Sequence, residues 1–378
     1  MKVLICPDSY KGALSAPEAA RAIKNGLKKA SNDFLFRELP LADGGEGTVD
    51  CLVESVSGEK IETEVSDPLG RSILAEYGLL DEGDELTAVI EMAAASGLPL
   101  LQEDERDPGK TTTYGTGELI KHALQKGADK ILLGIGGSAT NDGGMGMARA
   151  LGIKFFDECG RELKGCGDNL SELDSIDLSG LCQEVKEAEI EVACDVDNPL
   201  YGEKGAAYVY SPQKGADEDQ VKSLDSGLEN FARVVETDLN IKISNIPGAG
   251  AAGGLGGGLK AFLNAELRSG IDMILSYLDF SELLEDFDLV ISGEGSCDSQ
   301  SLYGKVIGGV AERTSRAEIP LVVIAGSISA DDKNELHKNG ITSLLSLANR
   351  PLSLEEAMNS TGKLLAFTAE ELGYLLTI

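Results

Sequence analysis

Tryptophan is absent from this chain of 378 residues, and histidine occurs only twice, as His122 and His337. Two histidines leave little scope for a zinc site or for a catalytic triad. The seven cysteines are odd in number and never spaced as Cys-x-x-Cys, which predicts reduced thiols rather than a disulfide framework. The first residues lack the pattern of a secretory signal, so we expect a cytoplasmic protein.

Basic residues are also scarce, with 33 Lys and Arg against 64 Asp and Glu and a formal charge of −31. Nucleic acids and anionic membranes bind clustered Lys and Arg, so neither is an expected partner. No apolar stretch is long enough to span a bilayer. An anionic small molecule would have to be bound locally, by a few cations, backbone amides or a metal ion.

Apolar strands alternate with helices at both ends of the chain. Val3–Cys6 predicts a strand, and Ser15 is placed to cap a helix that follows it. A second strand, over 289–291, is expected to end in Ser-Gly-Glu-Gly, before a helix over 306–316 and a strand over 320–325. Buried strands alternating with helices indicate a doubly wound parallel sheet.

The middle of the chain has a different order of predicted elements, with a hairpin-like pair of strands followed by helices and further strands. We therefore predict an α/β protein of two α/β domains. Residues 1–65 and 287–378 would form a discontinuous flavodoxin- or Rossmann-like domain from both chain ends. Residues 66–286 would form an inserted second α/β domain.

The first polar motif, Asp8-Ser9-Tyr10-Lys11-Gly12, follows the first strand. Ligands bind at the carboxyl ends of parallel strands, and Lys11 would place a cation beside a helix start. A plain turn with a surface lysine explains the same residues.

The second motif, Asp43-Gly44-Gly45-Glu46-Gly47, also precedes a helix. Its carboxylates could bind Mg²⁺ or activate a hydroxyl group. The alternative is a turn with acidic residues at a helix start.

A third motif, GIGGSATNDGG over 134–144, follows an apolar strand. Backbone amides around Gly136 and Gly137 could bind phosphate, with the Ser138 hydroxyl and a metal-binding Asp142. The motif lacks the Gly-Lys-Ser/Thr of a P-loop, and a tight crossover between packed backbones is the alternative.

Acidic residues also follow two later strands. Asp195 and Asp197 would point to opposite faces unless their strand has already ended. Near the end of the chain, Glu294 and Asp298 lie among glycines before Lys305.

A glycine-rich segment, PGAGAAGGLGGG over 247–258, contains a formal G-x-G-x-x-G, but no apolar strand precedes it. A nicotinamide site is therefore disfavoured. Phosphate binding, a hinge and a flexible linker remain open, and a helix over 259–267 is expected.

These loops combine glycines, carboxylates and isolated lysines, a set that suits phosphoryl transfer. Acyl transfer is disfavoured because G-x-S-x-G is absent. Residue chemistry alone suggests roles for three groups. The catalytic candidates are Lys11, Asp43 and Asp195. The substrate- or phosphate-binding candidates are Asp8, Ser9, Gly44, Gly45, Gly136, Gly137, Ser138, Gly293, Gly295 and Lys305. The magnesium candidates are Asp142, Glu294 and Asp298.

The sequence resembles the bacterial glycerate kinase family, of the glycerate 2-kinase type. The resemblance rests on stretches in order along nearly the whole chain, among them PDSYKGALSAPEAA, LPLADGGEGTVD, GIGGSATNDGGMGM, EVACDVDNPLYG, SPQKGA and GEGSCDSQSLYGK. It implies ATP- and Mg²⁺-dependent phosphorylation of D-glycerate, with 2-phosphoglycerate the favoured product, in a cleft between two α/β domains.

The chain departs from the family pattern at Ser296, where the family has Arg, at Ser301, where it has Thr, and in a proline missing after Lys305. A serine cannot replace the charge of an arginine. The alternative function is therefore an impaired or altered-specificity member that binds a small hydroxy acid or a nucleotide.

Overall fold

The computed structural model describes residues 1–81, 83 and 85–378. Its strands are β1 (Lys2–Ile5), β2 (Leu35–Glu38), β3 (Glu59–Ser66), β4 (Ser72–Asp81), β5 (Leu86–Glu91), β6 (Lys130–Gly134), β7 (Lys154–Phe156), β8 (Ser175–Asp177), β9 (Glu189–Ala193), β10 (Glu266–Arg268), β11 (Leu289–Cys297), β12 (Leu321–Ile328) and β13 (Ile341–Ser346).

Helices alternate with most of these strands. They are α1 (Ala16–Ala30), α2 (Thr48–Val56), α3 (Ala93–Ser96), α4 (Tyr114–Gln125), α5 (Met145–Ala150), α6 (Gln183–Glu187), α7 (Ala206–Tyr210), α8 (Glu218–Leu239), α9 (Ala251–Leu263), α10 (Gly270–Tyr277), α11 (Phe280–Leu284), α12 (Val306–Arg316), α13 (Lys333–Lys338), α14 (Leu354–Asn359) and α15 (Thr361–Leu376). No helix among the described residues is long and apolar enough to cross a membrane.

The chain divides into two compact units. The first, called the end unit here, comprises Met1–Asp43, Asp50–Ser57 and Gly270–Ile378. The second, called the central unit, comprises Gly44–Val49 and Gly58–Ser269.

The sheet of the end unit is parallel throughout, with the strand order β13-β12-β11-β1-β2. Helices α1 and α15 pack together over one core, which contains Val3, Ile5 and Ile291. The alternate residues Leu4 and Val290 are also fully buried, and α12 contacts β11 and β12. Both faces of the sheet are therefore covered, which confirms the predicted doubly wound domain.

Helix α1 begins where the sequence predicted. Ser15 is its N-cap, and Glu18 accepts a hydrogen bond from the Ser15 backbone N–H at 3.1 Å. This reciprocal arrangement satisfies donors that the first turn of a helix leaves unpaired.

The sheet of the central unit is mixed, with the order β10-β9-β6-β5-β4-β3. Its hairpin half, β3 to β5, is antiparallel, whereas β5, β6, β9 and β10 run parallel. Strands β7 and β8 form a separate antiparallel pair.

Two predicted boundaries were wrong. Strand β11 does not end at Ser292 but continues to Cys297, because its pairing with β12 extends through Glu294 and Ser296. The helix expected over 259–267 is α9 (Ala251–Leu263), which is kinked near its start, where Ala252, Gly253 and Gly254 have left-handed backbone angles, and which ends at Leu263. Most of its residues are buried, so the glycine-rich segment is packed rather than a flexible linker.

Aromatic residues are only 5% of the chain, and three phenylalanines are concentrated in one cluster of the central unit. Phe262 packs edge-on against Phe155, with ring centroids 5.5 Å apart, and against Phe231, at 6.0 Å. Phe231 is fully buried and anchors α8 to α9.

We predict that Phe231→Ala lowers the free energy of unfolding by about 3–5 kcal/mol, because it opens a cavity in this cluster. The matched control is Phe367→Ala, since Phe367 is 47% exposed, and we expect a change of about 0.5 kcal/mol or less. Urea unfolding followed by circular dichroism measures both. Equal losses in the two variants would contradict this account of the core.

Candidate active site

The end unit has a topological switch point between β1 and β11. From β1 the chain passes through α1 to β2 on one side, and from β11 it passes through α12 to β12 on the other. Open α/β sheets bind ligands outside the carboxyl ends of the strands at such a point. The residues that lie there are therefore the first candidates for a site.

Three carboxylates are close enough to interact at this edge. The backbone N–H of Asp8 donates to the Gly293 carbonyl at 2.8 Å, which holds Asp8 beside β11. Leu41 N–H donates to the Pro7 carbonyl at 3.0 Å, and Asp43 follows two residues later. Burial raises the pKa of Asp8 to about 7, and the charges of Asp43 and Glu294 act in the same direction.

Glu294 is the most buried of the three, with 7% of its surface exposed. Burial raises its pKa, the charges of Asp298 and Asp43 add to the effect, and Ser301 and Lys305 oppose it. Its Oε1 atom has no hydrogen-bond partner among the described residues. An unpartnered buried carboxylate oxygen among like charges is suited to bind a cation.

The two predicted lysines lie in the same unit. Lys11 is exposed on the turn after β1, and Lys305 is the half-buried N-cap residue of α12. The Lys305 charge lowers the pKa of Glu294. The half-buried Ser9 donates its backbone N–H to the Asp8 carboxylate.

Tyr10 was missed in the sequence analysis, although it stands inside the first motif. Its side chain is 2% exposed, and its hydroxyl donates to the Ile324 carbonyl at 2.6 Å. A Cβ atom on Gly293 would lie 2.4 Å from the Tyr10 hydroxyl and 2.2 Å from the Ile324 carbonyl oxygen. Gly293 is therefore required by close packing, whereas Gly295 has its nearest neighbour, the Lys11 backbone nitrogen, at 3.7 Å.

Asp298 and Ser296 have protein partners at the far end of β11. Asp298 caps the turn Ser299–Leu302 by accepting from the Gln300 N–H at 2.8 Å. Ser296 is exposed, and its hydroxyl accepts from the Ser327 hydroxyl at 2.9 Å.

The two glycines of Gly293-Glu294-Gly295 are predicted to differ on substitution. Gly293→Ala should lower the free energy of unfolding by about 1–3 kcal/mol, because the methyl group displaces the Tyr10–Ile324 contact. Gly295→Ala is the control and should unfold close to wild type. Thermal unfolding of both variants tests the geometry, and a destabilised Gly295→Ala beside an unaffected Gly293→Ala would contradict it.

The central unit carries a second cluster at the carboxyl edge of its own parallel strands. Gly134 pairs with Ala193, so the loop after β6 and the segment after β9 leave the sheet side by side. Gly136 and Gly137 in that loop are exposed, and Ser138 follows with 8% exposure. Asp195 is exposed just beyond β9, which ends at Ala193. The alternation of side chains along a strand therefore does not force Asp195 and Asp197 to point to opposite faces.

The turn at Gly44 and Gly45 belongs to this cluster. A Cβ atom on Gly134 would lie 2.2 Å from the Gly44 carbonyl oxygen, and one on Gly136 would lie 3.7 Å from the Gly45 Cα. The second and third sequence motifs are thus in contact within the central unit.

Asp142 is fully buried and hydrogen-bonded on both oxygens. Oδ2 accepts from the Thr113 N–H at 2.7 Å and the Thr113 hydroxyl at 2.8 Å, and Oδ1 accepts from the Gly144 N–H at 2.9 Å. These bonds fix the loop to the start of α5. Thr113 was missed, although the run Thr-Thr-Thr before a helix signals hydroxyl donors.

Two further features of the sequence have a place in the fold. His122 is a packing residue, since its Nδ1 lies 3.1 Å from the Tyr77 hydroxyl. The segment with the formal G-x-G-x-x-G lies in α9 and in the residues just before it. A dinucleotide site would need a strand directly before these glycines, and the described residues show none there.

In the part of the chain that the structure describes, no three His, Cys, Asp or Glu side chains are arranged to hold a metal ion by themselves. A site for Mg²⁺ would therefore depend on one or two carboxylates together with ligand oxygens and water, which is common for this ion.

Comparison with known proteins defines the class. Charged and glycine-rich loops at the carboxyl edges of parallel strands are typical of α/β enzymes that bind phosphorylated ligands. The sequence model of the glycerate kinase family matches residues 3–377, and the chain belongs to that family. The predicted family and the predicted α/β fold are both confirmed.

Individual relatives cover nearly the whole chain. A glycerate kinase of Bacillus subtilis (strain 168) is 48% identical over 372 residues, which are 98% of this chain and 97% of the relative. A glycerate 2-kinase of Escherichia coli (strain K12) is 47% identical over 357 residues, 94% and 93% of the two chains. A crystal structure from Salmonella typhimurium LT2, described under the name glycerate kinase 2, has a TM-score of 0.91 at 45% identity and covers 100% of this chain and 98% of its own.

Proposed function

We propose that this protein transfers the γ-phosphoryl group of ATP to a hydroxyl group of D-glycerate. The observation that carries the proposal is the family match over residues 3–377, together with relatives of 47–48% identity that are named glycerate kinases. The alternative of an impaired binder is not favoured, because the similarity extends over the whole chain.

The favoured product is 2-phosphoglycerate. The support is the relative from Escherichia coli, which is named for transfer to position 2. The thiol state of all seven cysteines agrees with a reducing compartment such as the cytoplasm.

The reaction forms a bond between a glycerate hydroxyl oxygen and the γ-phosphorus and breaks the bond from that phosphorus to the β–γ bridging oxygen. The hydroxyl proton must leave to a base, and ADP departs. Asp43 and Asp195 are the proposed bases, since each follows a strand at a carboxyl edge and is at least partly accessible. Lys11 and Lys305 would neutralise phosphate or carboxylate charge.

The exposed glycines Gly136 and Gly137 would bring backbone amides to anionic oxygens, with the Gly44–Gly45 turn packed behind them. Asp8 and Ser9 border the switch point of the end unit. Asp142 and Asp298 were predicted to hold magnesium, but their bonds to backbone N–H groups favour a role in fixing their loops.

Magnesium fits the end unit, because Glu294 presents a buried carboxylate oxygen that has no partner among residues 1–81, 83 and 85–378, beside the further acidic groups Asp8 and Asp43. When bound, the ion neutralises charge on the phosphate groups. Glu294 would be its main protein ligand, and Lys305 would limit the repulsion among the carboxylates.

The activity is tested by incubating the protein with ATP, Mg²⁺ and D-glycerate and measuring ADP formation. We expect glycerate-dependent turnover and a product that enolase consumes without phosphoglycerate mutase, since only 2-phosphoglycerate is its substrate. A requirement for the mutase would contradict transfer to position 2. Absence of turnover by folded protein would contradict the kinase assignment.

Glu294→Gln should raise the Mg²⁺ concentration needed for half-maximal turnover by roughly 10-fold or more, because the variant keeps the shape but loses the charge. The control is Glu370→Gln, which removes a surface partner of Lys29 in the same unit and should leave the Mg²⁺ titration unchanged. An unchanged titration for Glu294→Gln would remove this residue from the magnesium site.

A further inference from the structure

Lys214 is buried in the central unit although it carries an ammonium group. It ends the turn Pro212–Lys214, and only 2% of its surface is exposed. Its Nζ donates to the Thr140 carbonyl at 2.6 Å and to the Ser138 hydroxyl oxygen at 3.3 Å. Within the described residues, no carboxylate lies within ion-pair distance of it.

The ammonium group is not explained by stability. Burial lowers the pKa of Lys214 to about 7, against a weak opposing effect of Asp142. A methionine would fill nearly the same volume without this cost. The amine is therefore held in the core at the expense of folding, which points to a role in the loop that it contacts.

The contacts of Ser138 define what that role can be. Its hydroxyl oxygen accepts from the Lys214 ammonium and from the Thr140 N–H at 3.1 Å, which occupies both lone pairs. The hydroxyl proton can then only be donated. Within the chain its nearest acceptor is the Thr140 hydroxyl at 3.1 Å, and the Thr140 and Ala252 carbonyls lie at 3.4 Å, so a substrate oxygen would compete only with these long contacts.

A second observation concerns the side-chain amide of Asn141 in the same loop. The Asn141 side chain is fully buried, its Oδ1 accepts from the Ser211 hydroxyl at 2.9 Å, and its Nδ2 has no partner among the described residues. Ser211 stands directly before the turn that ends at Lys214, so this turn is attached to the loop at both ends. The loop thus holds the Ser138 hydroxyl, with only long contacts for its proton, and the Asn141 amide, with no acceptor among the described residues, and two exposed glycines precede it.

We propose that Lys214 is a positioning residue that holds Ser138 as an obligatory, charge-assisted donor to an anionic oxygen of a substrate. The proposal rests on the proposed function, since the anionic oxygen would belong either to a phosphate group of ATP or to the carboxylate of glycerate. Lys214 itself is too buried to touch that oxygen, so its effect passes through Ser138.

The test is a double-mutant cycle of Lys214→Met, Ser138→Ala and the combined variant, with kcat and both KM values measured for each. We expect each single variant to raise the KM of one substrate roughly 10-fold or more and to leave the other within about 2-fold, which identifies the anion bound. The combined variant should be no worse than either single variant, because both remove the same donor. Lys130→Met is the control, since Lys130 is a largely buried lysine that pairs with Glu191 far from this loop, and it should change neither KM.

Multiplicative effects in the combined variant, or an equal rise in both KM values, would overturn the proposal and leave Lys214 a structural residue. If Lys214→Met does not fold, the proposal is tested by Ser138→Ala alone. Unchanged KM values for that variant would overturn the proposal. Wild-type turnover in the same assay separates this result from failure of the proposed function. If wild type shows no turnover, calorimetric titration of the variants with ATP and with glycerate gives the same comparison from dissociation constants.

Discussion

The crowding of Asp8, Asp43 and Glu294 at one edge of a parallel sheet is the constraint around which the end unit is arranged. Burial raises the pKa of both Asp8 and Glu294, and the like charges of the neighbouring carboxylates raise it further. The fold maintains it because β11 continues beside β12 past Glu294, which fixes that side chain in regular structure. The Tyr10 hydroxyl and the absence of a side chain at Gly293 close the packing behind it.

The central unit differs from the end unit, because its candidate site is made mainly of backbone, hydroxyl and amide groups rather than carboxylates. Its loop after β6 has exposed glycines, and its neighbouring hydroxyl and amide groups are fixed by Lys214, Asp142 and Thr113. The end unit therefore carries acidic groups and two lysines, and the central unit carries mainly hydrogen-bond donors. Both kinds of group suit the proposed phosphoryl transfer, in which positioning and neutralisation of charge carry most of the catalysis.

Much of this arrangement could be predicted from local sequence. The apolar strands, the Ser15 cap and the polar residues after each strand depend on neighbours within a few positions, so their signals are present in the sequence. The resemblance to the glycerate kinase family then gave the activity, which spacing alone did not.

The features that sequence analysis missed depend on contacts between distant residues. Glu294 was expected in a loop, because nothing near it in sequence shows that β12 remains its partner. The burial of Lys214 depends on a loop that lies 74 residues earlier in the chain. The position of α9 depends on its packing against Thr140 and Gly143. The hydrogen bonds that Asp142 accepts from Thr113 could not be predicted from its own motif, because Thr113 lies 29 residues earlier.

The most direct test of the carboxylate crowding is the pH dependence of unfolding for wild type and Asp8→Asn. Between about pH 4 and 7 the unfolded chain ionises Asp8 while the folded chain keeps its proton, so the contribution of Asp8 to the free energy of unfolding should fall as pH rises through this window. The variant lacks this proton, so it should gain stability relative to wild type up to pH 7 and hold the gain above it. A difference between the two proteins that stays constant from pH 4 to pH 8 would contradict the raised pKa of Asp8, and with it the buried carboxylate cluster on which the account depends.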